Sequence, residues 1–195
     1  MIDGRYVTAP KKMFKFDDGF TVYEGVFNRQ IVAKLSYLLS AESIPFSLLV
    51  PHQNDVSLRR RKQLTNEENI RQNGNSILLS IHGNAGKGTG FEVFTTRGET
   101  KSDVIATEFF NELKREFPGE RMRADISDGD VDKEANFTVL MCEPPAVLTE
   151  NLFFDNREDA ELMMSDAGQN RIAKAHFEAI KKINDRFTHI SEIKC

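Results

Sequence analysis

The spacing of apolar residues along the chain predicts a series of helices. From Gly25 onward, apolar side chains recur at helical intervals. The same kind of spacing predicts helices over residues 57–72 and 105–117, which Asn73-Gly74 and Pro118-Gly119 end. Asn156 suits the N-cap of a short helix with acidic residues in its first turn. A last helix presents one apolar face, made of Ile172, Ala175, Ala179, Ile180, Ile183 and Phe187.

Short apolar runs between these helices predict strands over residues 46–50, 76–81, 91–96 and 146–149. The run 76–81 has no polar alternation, which predicts a buried strand without a solvated face. Residues 1–20 have no regular pattern, and the charged residues 119–135 predict a long loop. Strands that alternate with helices favour an open α/β sheet.

Composition limits what such a domain can do. The chain has 195 residues, of which 39% are hydrophobic, enough for one sizeable core, and no apolar stretch is long enough to span a bilayer. A net charge of −4 gives no broad attraction to nucleic acid, and the basic run Arg59-Arg60-Arg61-Lys62 predicts a solvated helix face. Cys142 and Cys195 cannot build a disulfide framework or a zinc knuckle, and Cys142 is predicted to be a buried small hydrophobe.

Ionisable residues lie where chemistry is expected in an α/β sheet. His82 and Glu150 come directly after two predicted strands, at the carboxyl ends where functional groups gather, and Glu24 lies at the entry to the first helix. Each residue has another explanation, because a histidine can be a hydrogen-bonded core residue and a glutamate can complement a helix dipole. The glycine-rich stretch 83–89 is not a phosphate-binding loop, because Ile81 stands where its first glycine belongs. These positions alone leave the function open.

Four blocks of sequence around these residues carry a more specific signal. They are Tyr23-Glu24-Gly25 with Phe27-Asn28-Arg29, then Asp55-Val56-Ser57-Leu58-Arg59-Arg60-Arg61, then Ser80-Ile81-His82-Gly83-Asn84-Ala85 with Gly90-Phe91-Glu92, and last Pro145-Ala146-Val147-Leu148-Thr149-Glu150 through Asn156. In this order the blocks resemble signatures of the zinc-dependent N-acetylmuramoyl-L-alanine amidase family (amidase type 3), among them "S-I-H-x-N-A … G-x-E" and "P-A-V-L-x-E".

The resemblance implies a three-layer α/β/α fold of the zinc exopeptidase-like kind, with a mostly parallel central sheet. It also implies one catalytic Zn²⁺ held by two histidines and a glutamate, with Glu24 as the carboxylate ligand and His82 as the second histidine. Glu150 takes the place of the catalytic glutamate. The implied reaction is hydrolysis of the amide bond between N-acetylmuramic acid and L-alanine in peptidoglycan by a zinc-activated water, at the bacterial cell wall.

One part of the family pattern is missing from this sequence. The first histidine ligand of the family lies in a "D-x-G-H-G-G" turn after the first strand, and the chain has neither. We therefore expect residues 1–195 to be a single catalytic domain that begins after that turn, without a signal peptide, and with Met1 as an internal methionine. His52 is the best-placed substitute ligand, whereas His176 and His189 are predicted to be surface residues. Leu152, where many relatives carry glycine, is expected to reshape the pocket wall.

Two other interpretations remain open at this point. With only two ligands the zinc affinity should fall severely, which favours a metal-free peptidoglycan-binding or regulatory remnant of such an amidase. The retained Glu24, His82 and Glu150 argue against that interpretation, since a pure binder needs no reactive glutamate. A zinc peptidase on the related exopeptidase-like fold is disfavoured by the order and spelling of the four blocks.

Overall fold

The computed structural model describes residues 12–52 and 54–192, with side chains described as far as residue 186. A hairpin of β1 (Met13–Lys15) and β2 (Thr21–Tyr23) precedes α1 (Glu24–Ala41) and α2 (Leu58–Arg71). Then follow β3 (Leu78–Asn84), β4 (Phe91–Thr95), α3 (Lys101–Glu116), β5 (Lys133–Glu134), β6 (Ala146–Phe153), α4 (Arg157–Met164) and α5 (Asp166–Glu192). The predicted alternation of strands and helices is confirmed.

The central sheet has the strand order β3-β6-β4-β5 among the described residues. Strands β3 and β6 are parallel, as are β4 and β5, whereas β4 and β6 are antiparallel. Strands β3 and β6 therefore run in one direction and β4 and β5 in the other, so the described sheet is mixed, with two of its three pairings parallel. Strand β6 lies in the interior of the sheet and β3 at its edge in the described part.

The two faces of this sheet differ in what covers them. Because side chains alternate along a strand, Val147 and Thr149 of β6 point to one face, here the core face, and Leu148 and Glu150 point to the other, the cleft face. The core face packs against α1, α3 and α5 in the main hydrophobic core. The cleft face carries a smaller cluster, whose buried members are Val139, Leu140, Ala146 and Leu148.

Local sequence accounts for where the helices begin. Thr100 caps α3 in a capping box with Asp103, which satisfies amide groups that would otherwise lack partners. The apolar stripe of α3, with Ile105, Phe109 and Leu113, is then buried in the main core. The side chain of Asn156 accepts hydrogen bonds from Glu158 N at 3.1 Å and Asp159 N at 3.3 Å, so its prediction as the N-cap of α4 is confirmed.

Several predictions about local structure are wrong. Residues 46–50 form no strand; the flanking Pro45 and Pro51 cannot donate to a ladder, and Phe46 stays exposed. The irregular lead-in contains the β1–β2 hairpin, and α3 begins at residue 101. Strand β3 extends to Asn84 and is half-buried, because it lies at the edge of the described sheet. Cys142 is half-buried at the border of the smaller cluster.

The prediction that His176 is a surface residue is also wrong. Its side chain is fully buried between α5 and β6, where Nε2 lies 2.9 Å from Thr149 Oγ1 and Nδ1 lies 2.8 Å from Ile172 O. The apolar stripe of α5 turns His176 toward the sheet, and hydrogen bonding with these two partners offsets the cost of burying its polar ring. The side chain of His189 is outside the described residues.

Within the described part of the chain, no helix combines the length and the apolar character that crossing a membrane requires.

Candidate active site

Glu24 and His82 meet although they are far apart in the sequence. Glu24 is the first residue of α1, and its Oε1 lies 2.8 Å from Nδ1 of His82 on β3. Oε1 also accepts a hydrogen bond from Asn28 Nδ2, one helical turn later, at 3.2 Å. The other ring nitrogen of His82 lies 2.9 Å from Ser80 Oγ. Helix α1 thus presents a carboxylate to the edge strand, and both side chains are fixed by further contacts.

Contact with His82 keeps the carboxyl of Glu24 ionised. Burial alone would raise the pKa of the Glu24 carboxyl, but the hydrogen bond and the charge of His82, helped by Asn28, hold that pKa below its usual value. Glu24 is therefore an anion at neutral pH. An anionic oxygen beside an imidazole nitrogen is a donor pair that transition metals accept.

Glu150 lies next to this pair on the cleft face. In the parallel ladder its Cα partner on β3 is His82, and in the antiparallel ladder its partner on β4 is Glu92. His82, Glu150 and Glu92 therefore form a row across three neighbouring strands. The prediction that His82 and Glu150 directly follow their strands is wrong, because both strands continue past them, to Asn84 and Phe153. The two residues nevertheless lie side by side, because their strands are parallel and in register.

Among the described residues, the carboxylate of Glu150 has no ion-pair partner. Its Oε2 is buried and accepts no hydrogen bond from that part of the chain. Burial, with added repulsion from Glu24 and Glu92, raises the pKa of Glu150 to about 8. The site thus concentrates negative charge around a bare oxygen, an arrangement that a nearby positive charge would stabilise.

Glu92 belongs to this row, although no role was predicted for it. It is buried, yet burial is outweighed by hydrogen bonds from Lys133 Nζ at 2.7 Å and Arg123 Nε at 2.6 Å, which keep its pKa below the usual value. Asn84 Nδ2 donates a third bond at 2.6 Å. The available signal was the glutamate of the "G-x-E" block inside a strand, a position where a charged side chain needs a partner.

Two hollows meet at Glu150. One, with a volume of about 570 Å³, is lined by Glu24, Glu150 and the start of the glycine-rich loop, together with Met13, Phe14, Phe154 and Asp155. The other, about 320 Å³, is lined by His82 and Glu150 and by Leu58, Phe137, Val139 and Leu148. Glu150 is common to both, so a ligand in either hollow can reach its carboxylate.

The glycine-rich loop connects β3 with β4 and is fixed from the α4 side. The amides of Gly86 and Lys87 donate to Asp155, at 2.7 Å and 3.0 Å to its Oδ2. Asp159 accepts from Gly90 N at 3.0 Å and from Phe153 N at 2.8 Å. The loop's amides thus bind carboxylates of the chain itself, and the loop turns the chain into the next strand.

The other candidate positions are apart from this row or act differently. His52 is an exposed loop residue, and His176 lies on the core face, the opposite side of β6 from Glu150. Leu152 is fully buried with a φ of +67°, in the left-handed region that favours glycine. Its side chain belongs to the main core, and it is not among the residues that line the two hollows. These contacts do not support the expectation that Leu152 reshapes the pocket wall.

The donor set around His82 fits a metal ion in part. Glu24 and His82 supply the oxygen and nitrogen ligands that zinc prefers, and the bare Glu150 oxygen lies close by. Across the described residues, however, Glu24, His82 and Glu150 do not bring three donor atoms within 4.8 Å of one another. Glu150 thus lies beside the Glu24–His82 pair without adding a third donor atom to it.

Comparisons with known proteins show which family this chain is similar to. A family model described as N-acetylmuramoyl-L-alanine amidase matches residues 16–182. The chain is 33% identical over 161 residues to the N-acetylmuramoyl-L-alanine amidase CwlM of Bacillus licheniformis, covering 78% of this chain and 57% of that protein. It is 30% identical over 178 residues to the sporulation-specific N-acetylmuramoyl-L-alanine amidase of Bacillus subtilis (strain 168), covering 84% and 61%. The chain thus spans about three fifths of the length of these curated relatives.

A solved structure shows the same fold. The crystal structure of N-acetylmuramoyl-L-alanine amidase from Clostridium difficile 630 superposes with a TM-score of 0.72 at 26% identity, covering 84% of this chain and 85% of that one. The predicted three-layer α/β/α architecture is confirmed by this likeness.

Proposed function

Because the chain belongs to the N-acetylmuramoyl-L-alanine amidase family, whose model matches residues 16–182, we propose that it hydrolyses the amide bond between N-acetylmuramic acid and L-alanine in peptidoglycan. The observation that carries this proposal is the meeting of Glu24, His82 and Glu150 at one cleft on the sheet. The substrate is the bacterial cell wall, and residues 1–195 act as one catalytic domain.

Glu24 and His82 are the residues that would hold a zinc ion. Their facing atoms, Oε1 and Nδ1, lie 2.8 Å apart, and these are the oxygen and nitrogen donors that they would offer to the ion. Bound zinc acidifies a water molecule and polarises the amide carbonyl. Ser80 would keep the imidazole ring in place through its contact with Nε2.

Glu150 is the proton carrier in this proposal. Its side chain lines both hollows, and its buried Oε2 has no hydrogen-bond partner among the described residues, so the carboxylate is not held by another protein group there. Glu150 takes a proton from the attacking water and passes it to the leaving L-alanine nitrogen. An amide nitrogen is a poor leaving group unless it is protonated. Loss of the Glu150 carboxylate should therefore slow hydrolysis much more than it weakens substrate binding.

The third zinc ligand is the open part of this site. Of the described histidines other than His82, one is an exposed loop residue and the other is buried on the core face. We propose that a residue outside the described part of the chain completes the three-ligand set. The zinc content after dialysis against metal-free buffer locates this ligand. One retained equivalent would place it within residues 1–195, and loss of the zinc would place it outside them.

A second candidate function rests on the incomplete set of zinc ligands. With two ligands among the described residues, the chain would act as a metal-free peptidoglycan-binding or regulatory remnant of an amidase. Such a protein would bind peptidoglycan without cutting it, whether or not zinc is supplied.

Digestion of purified muropeptides separates the two functions. The chain is incubated with and without added zinc, and products are analysed by mass spectrometry for a free L-alanine amino terminus. The amidase proposal expects that product, and Glu150→Gln should lower the rate by about 10²–10⁴-fold with substrate binding retained. Binding without product at any zinc concentration, by the chain and by a version extended with the family's His-Gly-Gly turn, contradicts the proposal and favours the remnant.

A further inference from the structure

A second group of carboxylates lies outside the proposed active site. Asp103 belongs to the first turn of α3, and Asp130 and Asp132 precede β5. One carboxylate oxygen from each of the three lies within 4.8 Å of the other two. The group is at the β4–β5 side of the sheet, away from the β3 edge that carries His82. It therefore needs an explanation of its own.

Two of these side chains bury oxygens without partners. Asp132 is 1% exposed, and its Oδ2 accepts a hydrogen bond from Thr95 Oγ1 at 2.6 Å. The Oδ1 atoms of Asp132 and of Asp130 are both buried, and no described residue donates a hydrogen bond to either. Such bare anionic oxygens are costly to bury, so an unsatisfied pair indicates a missing positive charge or proton.

No basic side chain supplies that charge. Among the ion pairs of the described residues, none involves Asp103, Asp130 or Asp132, and the adjacent Lys133 extends instead to Glu92. Burial, together with the neighbouring charges of Asp130 and Asp103, raises the pKa of Asp132 to about 7. Among the described residues, the hydrogen bond from Thr95 opposes this effect, but no ion pair does.

We propose that Asp103, Asp130 and Asp132 form a binding site for a hard divalent cation, calcium, separate from the proposed zinc position. Calcium binds oxygen ligands at about 2.3–2.6 Å, so three oxygens within 4.8 Å of one another are near enough to share one ion after small side-chain adjustments. The ligand set is oxygen only, which suits calcium and lacks the nitrogen or sulfur ligands typical of zinc. Because Asp103 and Asp130 are only half-buried, water can complete the coordination shell.

Calcium at this position would join three parts of the fold. It would link the start of α3, the segment before β5 and, through Asp132 and Thr95, the end of β4. Strand β5 includes Lys133, which holds Glu92 in the row beside Glu150. The ion would therefore stabilise the edge of the sheet that supports the proposed active site, without touching it.

Titration calorimetry with calcium chloride tests the site in the full chain after treatment with EDTA. We expect one equivalent to bind with a Kd on the order of 10⁻⁴ M, typical of extracellular calcium modules. At about 10 mM calcium the Tm should rise by about 5–10 °C. Neither readout depends on zinc or on hydrolysis, so failure here leaves the amidase proposal untouched.

Matched variants locate the binding. Asp132→Asn should lose the heat of binding and the calcium-dependent rise in Tm, while its calcium-free Tm equals or exceeds that of the parent because one repelling charge is gone. Asp128→Asn makes the same change at an exposed position of the same segment and should bind calcium like the parent. Asp130→Asn provides a second cluster variant should Asp132→Asn not fold.

Two results would overturn the proposal. In the first, the parent chain gives no binding heat and no change in Tm, which would mean that the carboxyls share a proton. Alternatively, both cluster variants could bind calcium as tightly as Asp128→Asn, which would place the ion elsewhere.

Discussion

Two consecutive residues of β6, Thr149 and Glu150, point to opposite faces of the sheet and are treated very differently. On the core face, Thr149 Oγ1 contacts the buried His176, whose other nitrogen contacts Ile172 O. On the cleft face, Glu150 buries an oxygen with no partner and lies beside two other carboxylates. On the core face these polar groups are paired with each other, whereas on the cleft face one Glu150 oxygen has no partner among the described residues. A buried polar group with partners indicates architecture, and one without partners indicates a site.

The largest effect should come from His176, the buried titratable residue of the core face. Burial lowers the pKa of His176 from 6.5 to about 4. Its neutral form therefore contributes stability that is fully present above pH 6.5 and is lost as pH falls toward 4. We expect a loss of about 3 kcal/mol over this window, on the basis of 1.36 kcal/mol per pKa unit. Urea unfolding at pH 7 and pH 4 measures it as the difference between the parent and a variant without the histidine, because Glu150 and Asp132 have raised pKa values and change stability with the opposite sign over the same window.

His176→Gln keeps a polar side chain but cannot titrate, so the pH dependence of its unfolding free energy should be smaller by that amount. His52→Gln, at an exposed loop position, is the matched control and should behave like the parent. Parallel pH profiles for the parent and His176→Gln would mean that the core face does not depend on a neutral histidine.

The second prediction compares two glutamates of the same row. Glu92→Gln removes a buried carboxylate from Arg123 and Lys133, and should lower the free energy of unfolding by about 2 kcal/mol. The cost is moderate because both cations retain some contact with water. Glu150→Gln, one strand away, removes a carboxylate without a charge partner and should leave stability unchanged or higher. Urea unfolding at pH 7 gives both values, and equal losses would erase the distinction between a paired and a free carboxylate.

The smallest effect concerns the orientation of His82. Ser80→Ala removes the oxygen that lies 2.9 Å from Nε2, and should weaken zinc binding by about 10-fold while stability stays the same. Competition with a zinc-binding dye measures the affinity. Ser76→Ala, whose hydroxyl bonds to Asn69 away from the site, is the control. Equal affinities for the two variants would show that Ser80 does not position the ring.

The sequence predicted the parts of this fold that depend on local periodicity. The helices over 58–71 and 157–164 and the strands at 78–84 and 91–95 correspond to predicted elements, because helical and strand spacing are properties of neighbouring residues. The strand predicted over residues 46–50 is absent because an apolar run becomes a strand only if another strand pairs with it. The prediction for His176 was wrong for a related reason, since its burial depends on Thr149, which belongs to another element.

The sequence by itself determined the type of the elements, the family signatures and the identity of the candidate residues Glu24, His82 and Glu150. Only the tertiary structure decided that His82, Glu150 and Glu92 stand in one row, that Glu24 reaches His82 across 58 positions, and which carboxylates have partners. Strand register and charge pairing are set by contacts between distant segments. The spacing along a single chain carries no record of those contacts.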